Sequence, residues 1–522
     1  MSREPLVNNS EKLDLDASRE DLRTFSTDHL LADLKSRSVR GGLMTLTSQG
    51  AQFVLQSVAT VTLAHMLTPA DFGLVAMVTA ITGLGQAFAD LGLSEATIQH
   101  PEVNHDQVSK LFWINVSVGL ILTAVTASLA PLLAWFYHEP RLRVITDVVS
   151  LTFLIGGLRV QHDALLQRDM RFLALAIRDV TAYAVAVPVA IYLAWRGAGY
   201  WAIVALPLTL NTTQMILSWV MVRWIPGLPK SSAKIRSFIA FGGHVAMSYL
   251  TYIFTRSADN ILIGWYWGAS PLGLYSRAMN LLLLPVRQLG APARRVAVPA
   301  FSRLQDDPER LARSYLRTAN LIVWITAPIF GFLFIVATPV IVLTLGKHWL
   351  AAGPVFQILA IFALGQLLYE SLIWLFISRG QSKRLLKLVL IMCPITIGSF
   401  AIGLPFGIRG VALSGALVML VTFPWVLHFS FRDTKLTLSR LGKRLVWPLI
   451  TCFAGVVTGE LTFRTMTHMP AISQIVVVAA AFAGGCLLAA ILKPVRKELK
   501  ELKDLLLHAR NMPAPQLAES LD

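Results

Sequence analysis

The chain has 522 residues, of which 55% are hydrophobic and only 15% charged, with a mean hydropathy of +0.60. Soluble globular chains carry about 25% charged residues, so composition excludes an ordinary water-soluble enzyme or regulatory domain. A net charge of +16 would point a soluble protein toward nucleic acid. Here the basic residues sit between apolar runs, which points instead to anionic lipid and topology control, with no nucleic acid.

Taken in chain order, residues 1–38 are polar and slightly acidic (Asp14, Asp16, Glu20, Asp21) and lack the apolar core of a secretory signal. They are expected to form a disordered cytoplasmic tail with one short helix near 26–35. A membrane-crossing helix needs about 20 mostly apolar residues. Fourteen stretches qualify, at approximately 43–66, 72–93, 111–136, 144–166, 172–195, 199–223, 238–266, 273–297, 315–345, 355–378, 385–404, 408–430, 445–465 and 472–492. Pro285, Pro292 and Pro299 interrupt the region of the eighth and ninth stretches, which makes it the hardest to divide, and the longest connection in the chain, about 20 residues, is expected between those two. Asp306-Asp307-Pro308-Glu309 reads as a helix N-cap followed by proline in the first turn. No connection leaves room for a catalytic domain outside the membrane. Beyond 492, Leu492, Val495, Leu499, Leu502 and Leu506 recur at helical spacing among lysines, the pattern of a helix lying on the inner leaflet.

Lysine and arginine set the orientation. With the N-terminus inside, the inner segments hold thirty of them, among them Arg168, Arg171, Arg287, Arg294, Arg295 and Arg303. The outer loops hold only Arg141, Arg143, Arg196, Lys347, Arg409 and Arg464. Both termini are therefore expected in the cytoplasm. Trp135/Tyr137, Tyr200/Trp201, Trp265/Trp267 and Trp349 fall at the outer ends, as an interfacial aromatic belt would.

An internal repeat is visible. Leu67-Thr68-Pro69-Ala70-Asp71-Phe72-Gly73-Leu74 follows the first span, and Ala269-Ser270-Pro271-Leu272-Gly273-Leu274-Tyr275 follows the seventh. The offset is 200 residues, and Gly41-Gly42 and Gly242-Gly243 repeat at 201. The organisation expected is a first lobe over 39–228 (spans 1–6), a second over 229–434 (spans 7–12), two further spans over 435–492 and a cytoplasmic amphipathic tail over 493–522. Duplicated halves are typical of transporters with a site between the halves.

The motifs resemble those of Wzx-type polysaccharide flippases, in the polysaccharide transporter family of the MOP superfamily, lipopolysaccharide and exopolysaccharide export branch. Besides the two turns above, Ala89-Asp90-Leu91-Gly92-Leu93, Ala164-Leu165-Leu166-Gln167-Arg168-Asp169-Met170-Arg171-Phe172, Asp259-Asn260-Ile261-Leu262-Ile263-Gly264, Ser276-Arg277-Ala278 and Ser302-Arg303-Leu304-Gln305-Asp306-Asp307-Pro308-Glu309-Arg310-Leu311 carry the likeness. The resemblance implies an all-α integral membrane protein of the bacterial inner membrane, with two six-helix lobes plus two C-terminal helices. It implies translocation of an undecaprenyl-diphosphate-linked oligosaccharide without ATP hydrolysis. Membrane lipids and, as candidate partners, a polysaccharide polymerase and co-polymerase are implied with it. The alternative in the same fold is a drug/cation antiporter or a peptidoglycan-precursor flippase.

Such a cargo asks for cations in a wet path and for polar groups facing the glycan. A charge at a helix centre costs about 2.5–3.5 kcal/mol on insertion scales, so membrane-embedded charges are candidates by default. Arg256 and Asp259 share a face of the seventh span, and Arg277 opens the eighth. Guanidinium binds phosphate bidentately, so Arg256 and Arg277 are candidates for a diphosphate clamp, with an Arg256–Asp259 ion pair as the competing explanation. Asn280 and the first-span amides Gln49, Gln52 and Gln56 are candidates for glycan hydroxyls or for helix-to-helix glue. Glu370 is a candidate coupling-ion or proton site, with pairing to an arginine of a neighbouring helix as the favoured competing reading. Arg159, Asp163 and Arg178, with Asp179, read as ion pairs or coupling charges, and His65 and His244 as packing histidines.

No enzyme is expected. GxxxxGK[ST] and HExxH are absent, and the one Asp-x-Asp, Asp14 and Asp16, lies in the tail. Cys393, Cys452 and Cys486 sit apart in apolar stretches, so neither a disulfide framework, a metal site nor a cofactor is implied.

Overall fold

The computed structural model describes residues 34–89, 93–99, 103–228, 256–432, 434–466 and 468–511. Most of the expected tail, most of the seventh span with Gly242-Gly243 and His244, Asp90-Leu91-Gly92 and residues 512–522 lie outside them. The described residues are helical throughout: α1 Leu34–Met66, α2 Pro69–Ala89, α3 Leu93–Gln99, α4 His105–Phe136, α5 Leu142–Arg168, α6 Phe172–Trp195, α7 Tyr200–Val222, α8 over 256–267, α9 Ala269–Arg303, α10 Pro308–Ile335, α11 Ala337–Leu345, α12 Gly353–Ser378, α13 Ser382–Gly403, α14 Gly407–Phe431, α15 Leu438–Thr465, α16 Ala471–Ala489 and α17 Lys493–Asn511. Among the described residues nine stretches are long and apolar enough to cross a membrane. One of them, Ser382–Phe431, holds both α13 and α14. They coincide with spans three to six and nine to fourteen of the sequence reading.

The chain divides into two units, Met1–Leu67 with Leu74–Phe254, and Thr68–Gly73 with Thr255–Asp522. In the first unit α4 and α5 approach closely because glycines face backbone. A Cβ on Gly119 would lie 2.7 Å from Phe153 O, and one on Gly157 would lie 2.6 Å from Asn115 O. Small residues at such crossings are what association in lipid requires. Asn104 and Gln107 close a capping box at the start of α4. The α5–α6 turn places Met170 at a φ of 53°, and the Arg171 N–H donates back to Leu166 O at 2.9 Å.

In the second unit α12 is flanked by α9, α10 and α14, and α10 packs on α15, which pairs with α16. The expected cap at α10 forms: the Asp307 carboxylate accepts from the N–H groups of Glu309 and Arg310, with Pro308 in the first turn. The α12–α13 turn reproduces the α5–α6 turn 210 residues later. Gly380 has a φ of 63°, and the Gln381 N–H donates to Phe376 O at 2.9 Å. Both turns are closed by the six-to-one bond of a left-handed helix end.

Two expectations change. The eighth span does not end near 297 in a long connection. Helix α9 continues for 35 residues through all three prolines, and only residues 304–307 join it to α10. Pro285, Pro292 and Pro299 recur every seven residues and so share one face. Each removes a single N–H, and freed carbonyls there can be hydrated where the helix borders water. Second, Trp349 is not a lipid-interface residue. It is 0% exposed and meets Phe72 edge to face at 5.3 Å, whereas Trp135, Trp265 and Trp267 are exposed as a belt would be.

Candidate functional site

Helix α9 carries a cationic face along much of its length. Arg287, Arg294 and Arg295 are exposed and Arg277 is half-buried, with Asn280 and Gln288 exposed among them. At 3.6 residues per turn these six side chains fall within an arc of about 120°. The opposite face, with Leu272, Tyr275, Leu282, Val286 and Ala297, is buried. The pattern rests on a local heptad: Pro285-Val286-Arg287 is followed by Pro292-Ala293-Arg294. Arg277 and Arg294 stand about 25 Å apart at 1.5 Å per residue, most of the roughly 30 Å hydrocarbon thickness. Where this helix lies at membrane depth, its arginines cannot face acyl chains at tolerable cost, so the face asks for water there.

Arg277 ends the stripe. Its guanidinium carbon stands 4.2 Å over the Phe72 ring, and its Nε is buried without a hydrogen-bond partner. Asp259, 6% exposed, is held by the Tyr275 hydroxyl, which donates at 2.9 Å, and by the Asn260 N–H at 2.7 Å. Arg256 is exposed at the start of α8, and its charge acts on the Asp259 carboxylate. Glu370 on α12 accepts from Gln366 Nε2 at 3.3 Å and lies against α9 at Gly290. An apolar hollow of about 450 Å³ opens beside α9, lined by Pro285, Pro328, Phe332, Ala479 and Phe482.

In the first unit the four candidate charges form one neutral network. Arg159 Nε pairs with Asp163 at 3.1 Å. Arg178 pairs with Asp163 and, at 2.7 Å, with Asp179. Gln214 Nε2 donates to Asp179 at 2.9 Å and its carbonyl accepts from Arg159. The Ser218 hydroxyl donates to Asp163 at 2.7 Å. Two positive and two negative charges, each hydrogen-bonded, are the arrangement in which buried ions are tolerated. Beside it His162 stacks on Trp219 at 4.4 Å. The motif turn after α5 has a structural use: Arg168 donates to Thr97 O and Arg171 to Met221 O, carbonyls in the last turns of α3 and α7. Arg384, after the matching turn in the second unit, donates to Phe429 O at 3.0 Å. Of the amides, Gln49 and Gln56 are exposed and Gln52 half-buried on α1. His65 is exposed and bonds Val61 O.

Sequence reasoning missed two features. Arg287, Arg294 and Arg295 were counted with the inner segments although they lie within the eighth stretch, so their shared face went unread. Gln214 and Ser218 join the network from α7, and their i, i+4 spacing in an apolar helix was the available signal.

A family model described as polysaccharide biosynthesis protein matches residues 62–354. The teichuronic acid biosynthesis protein TuaB of Bacillus subtilis (strain 168) is 24% identical over 444 residues, covering 83% of this chain and 91% of TuaB. The lipopolysaccharide biosynthesis protein WzxC of Escherichia coli (strain K12) is 23% identical over 337 residues, 63% of this chain and 68% of WzxC. Among solved structures, lipid II flippase MurJ in an inward closed conformation superposes with a TM-score of 0.68 at 14% identity, over 87% of this chain and 98% of MurJ. An inward-facing multidrug resistance MATE family transporter of the MOP superfamily gives 0.55 at 13% identity, over 73% and 96%. The all-helical fold expected from the motifs is therefore the fold found. The chain belongs to the polysaccharide biosynthesis protein family and is a multi-pass membrane protein with the fold seen in the MurJ and MATE family transporter structures.

Proposed function

We propose that this protein is a flippase that carries an undecaprenyl-diphosphate-linked oligosaccharide across the bacterial inner membrane, with both termini cytoplasmic. The observation that carries this reading is the basic face of α9. Its cations stand at several depths along one helix, so an anionic headgroup meets a guanidinium at each stage of a crossing. Guanidinium is the group whose fork matches phosphate oxygens. Arg277 and Arg256 supply cations near the face's outer end and on α8. Asn280, Gln52 and Gln56 suit glycan hydroxyls, and the apolar hollow beside α9 suits part of a polyisoprenyl tail. Glu370, against α9, is the acid best placed to balance its charge when cargo leaves. The neutral network of Arg159, Asp163, Arg178 and Asp179 is assigned to structure. The association of two relatives with teichuronic acid and lipopolysaccharide biosynthesis supports a polysaccharide precursor as cargo. Extrusion of cationic drugs is disfavoured, because it asks for an acidic face where α9 is basic.

The test has two readouts. In a deletion strain, Arg287→Gln and Arg294→Gln should each lower polysaccharide export about tenfold or more, normalised to membrane-inserted protein, since a charge-assisted hydrogen bond contributes about 1.5–3 kcal/mol. For the purified protein, undecaprenyl diphosphate should raise the thermal midpoint more than undecaprenol, and the double substitution should abolish the difference. Full export by the double variant would refute the reading.

A further inference from the structure

The last helix, α17, is docked by one side and bare on another. Val495 is fully buried and Glu498 nearly so. The Glu498 carboxylate accepts from Trp324 Nε1 at 3.2 Å and Asn320 Nδ2 at 3.4 Å, both on α10. Glu501 pairs with Arg444 of α15 at 3.2 Å. These contacts fix the helix's rotation about its axis. They leave Lys493, Arg496, Lys497 and Lys500 exposed, within an arc of about 100°. Leu492 and Leu499 are exposed beside that arc.

Helix stability does not explain the four cations. They occupy the first two turns, and the first turn holds no acidic residue. That is the positive end of the helix dipole, where cations are unfavourable. Of the acids nearest to them, Glu498 is engaged with α10 and Glu501 with α15. A basic stripe bordered by exposed leucines, on a helix pinned to a membrane bundle, has the chemistry of a surface that meets lipid headgroups.

We infer that α17 is a binding surface for anionic phospholipid: Lys493, Arg496, Lys497 and Lys500 engage headgroup phosphates while Leu492 and Leu499 enter the acyl boundary, and Glu498 holds the helix in that orientation. The inference concerns the lipid environment and stands apart from the cargo proposed above.

The full-length protein is purified in mild detergent with equimolar phosphatidylglycerol and phosphatidylcholine, and the lipids retained are counted by native mass spectrometry. Wild type should retain phosphatidylglycerol preferentially. Each basic residue near an anionic surface contributes about fivefold, converted from about 1 kcal/mol, so K493Q/R496Q/K497Q/K500Q should reduce the preference by more than tenfold. The charge-keeping variant K493R/K497R/K500R should retain it, which separates loss of charge from loss of fold. An unchanged preference in the glutamine variant, or equal retention of both lipids by wild type, overturns the inference and leaves the face to water or to a protein.

Discussion

Gly73 and Gly273 face each other's helices reciprocally: a Cβ on Gly73 would collide with the Ala269 carbonyl, and one on Gly273 with the Pro69 carbonyl. The first turns of α2 and α9 therefore cross at backbone contact within the second unit. These are the two glycines of the 200-residue sequence repeat, so the repeat encodes a crossing as well as two turns. Phe72 extends it, lying between Arg277 and Trp349.

Gly73→Ala and Gly273→Ala should each destabilise strongly, because the clashing atoms are backbone and cannot rotate away. Overpacking of side chains alone costs about 1–3 kcal/mol, and these substitutions should exceed that. Thermal unfolding of the purified variants measures it. A midpoint within a degree or two of wild type for both would contradict the close crossing.

The two matching turns predict opposite responses. Met170 occupies a left-handed conformation that costs a non-glycine residue about 1–2 kcal/mol, so Met170→Gly should be neutral to stabilising. Gly380→Ala should destabilise by about 1 kcal/mol. Chemical denaturation of both variants in the same detergent checks the sign of each.

The network of the first unit predicts a rescue. Arg159→Met alone should destabilise, since it leaves Asp163 with less compensation among buried groups, and losing one partner of a buried pair costs about 3–5 kcal/mol. Adding Asp163→Leu should recover most of the loss, leaving Arg178 paired with Asp179. Protein abundance and unfolding midpoints for the two singles and the double form the cycle. Additive losses would place Arg159 outside the network's energetics.

Glu498→Ala should release α17 while leaving the bundle folded. Hydrogen exchange of the 493–511 amides should accelerate by an order of magnitude or more, with α10 and α15 little changed. Unaltered protection would mean that Val495 and its apolar neighbours hold the helix without the carboxylate.

Features set by local sequence were the readable ones. The Asp307-Pro308 cap and the i, i+4 pair of Arg159 and Asp163 depend only on residues within one turn of each other. Helix boundaries drawn from hydropathy held where Lys and Arg cluster at the ends, as at α4 through α7. They fell short at α9, where the stretch was ended at 297 and a long connection expected; the helix instead runs past Pro299 to Arg303, its three prolines sharing one face. Trp349 looked interfacial because its position relative to the span ends is legible, whereas its burial against Phe72 depends on a contact 277 residues away in sequence. Gln214 and Ser218 were silent for the same reason: each is an ordinary polar residue until α5, α6 and α7 come together. The α9 cations were present in the sequence as a count, and only helical continuity turned the count into a face.

The charge balance of the first-unit network has an electrical consequence. A membrane potential does work on a moving element in proportion to the net charge displaced, about 2.3 kcal/mol per elementary charge per 100 mV. Arg159, Asp163, Arg178 and Asp179 sum to zero, so the α5–α6–α7 assembly can shift through the field carrying no gating charge from this cluster. The guanidinium stripe of α9 has no such cancellation along its own helix, so a shift of that helix through the field would displace net charge where the first-unit cluster displaces none.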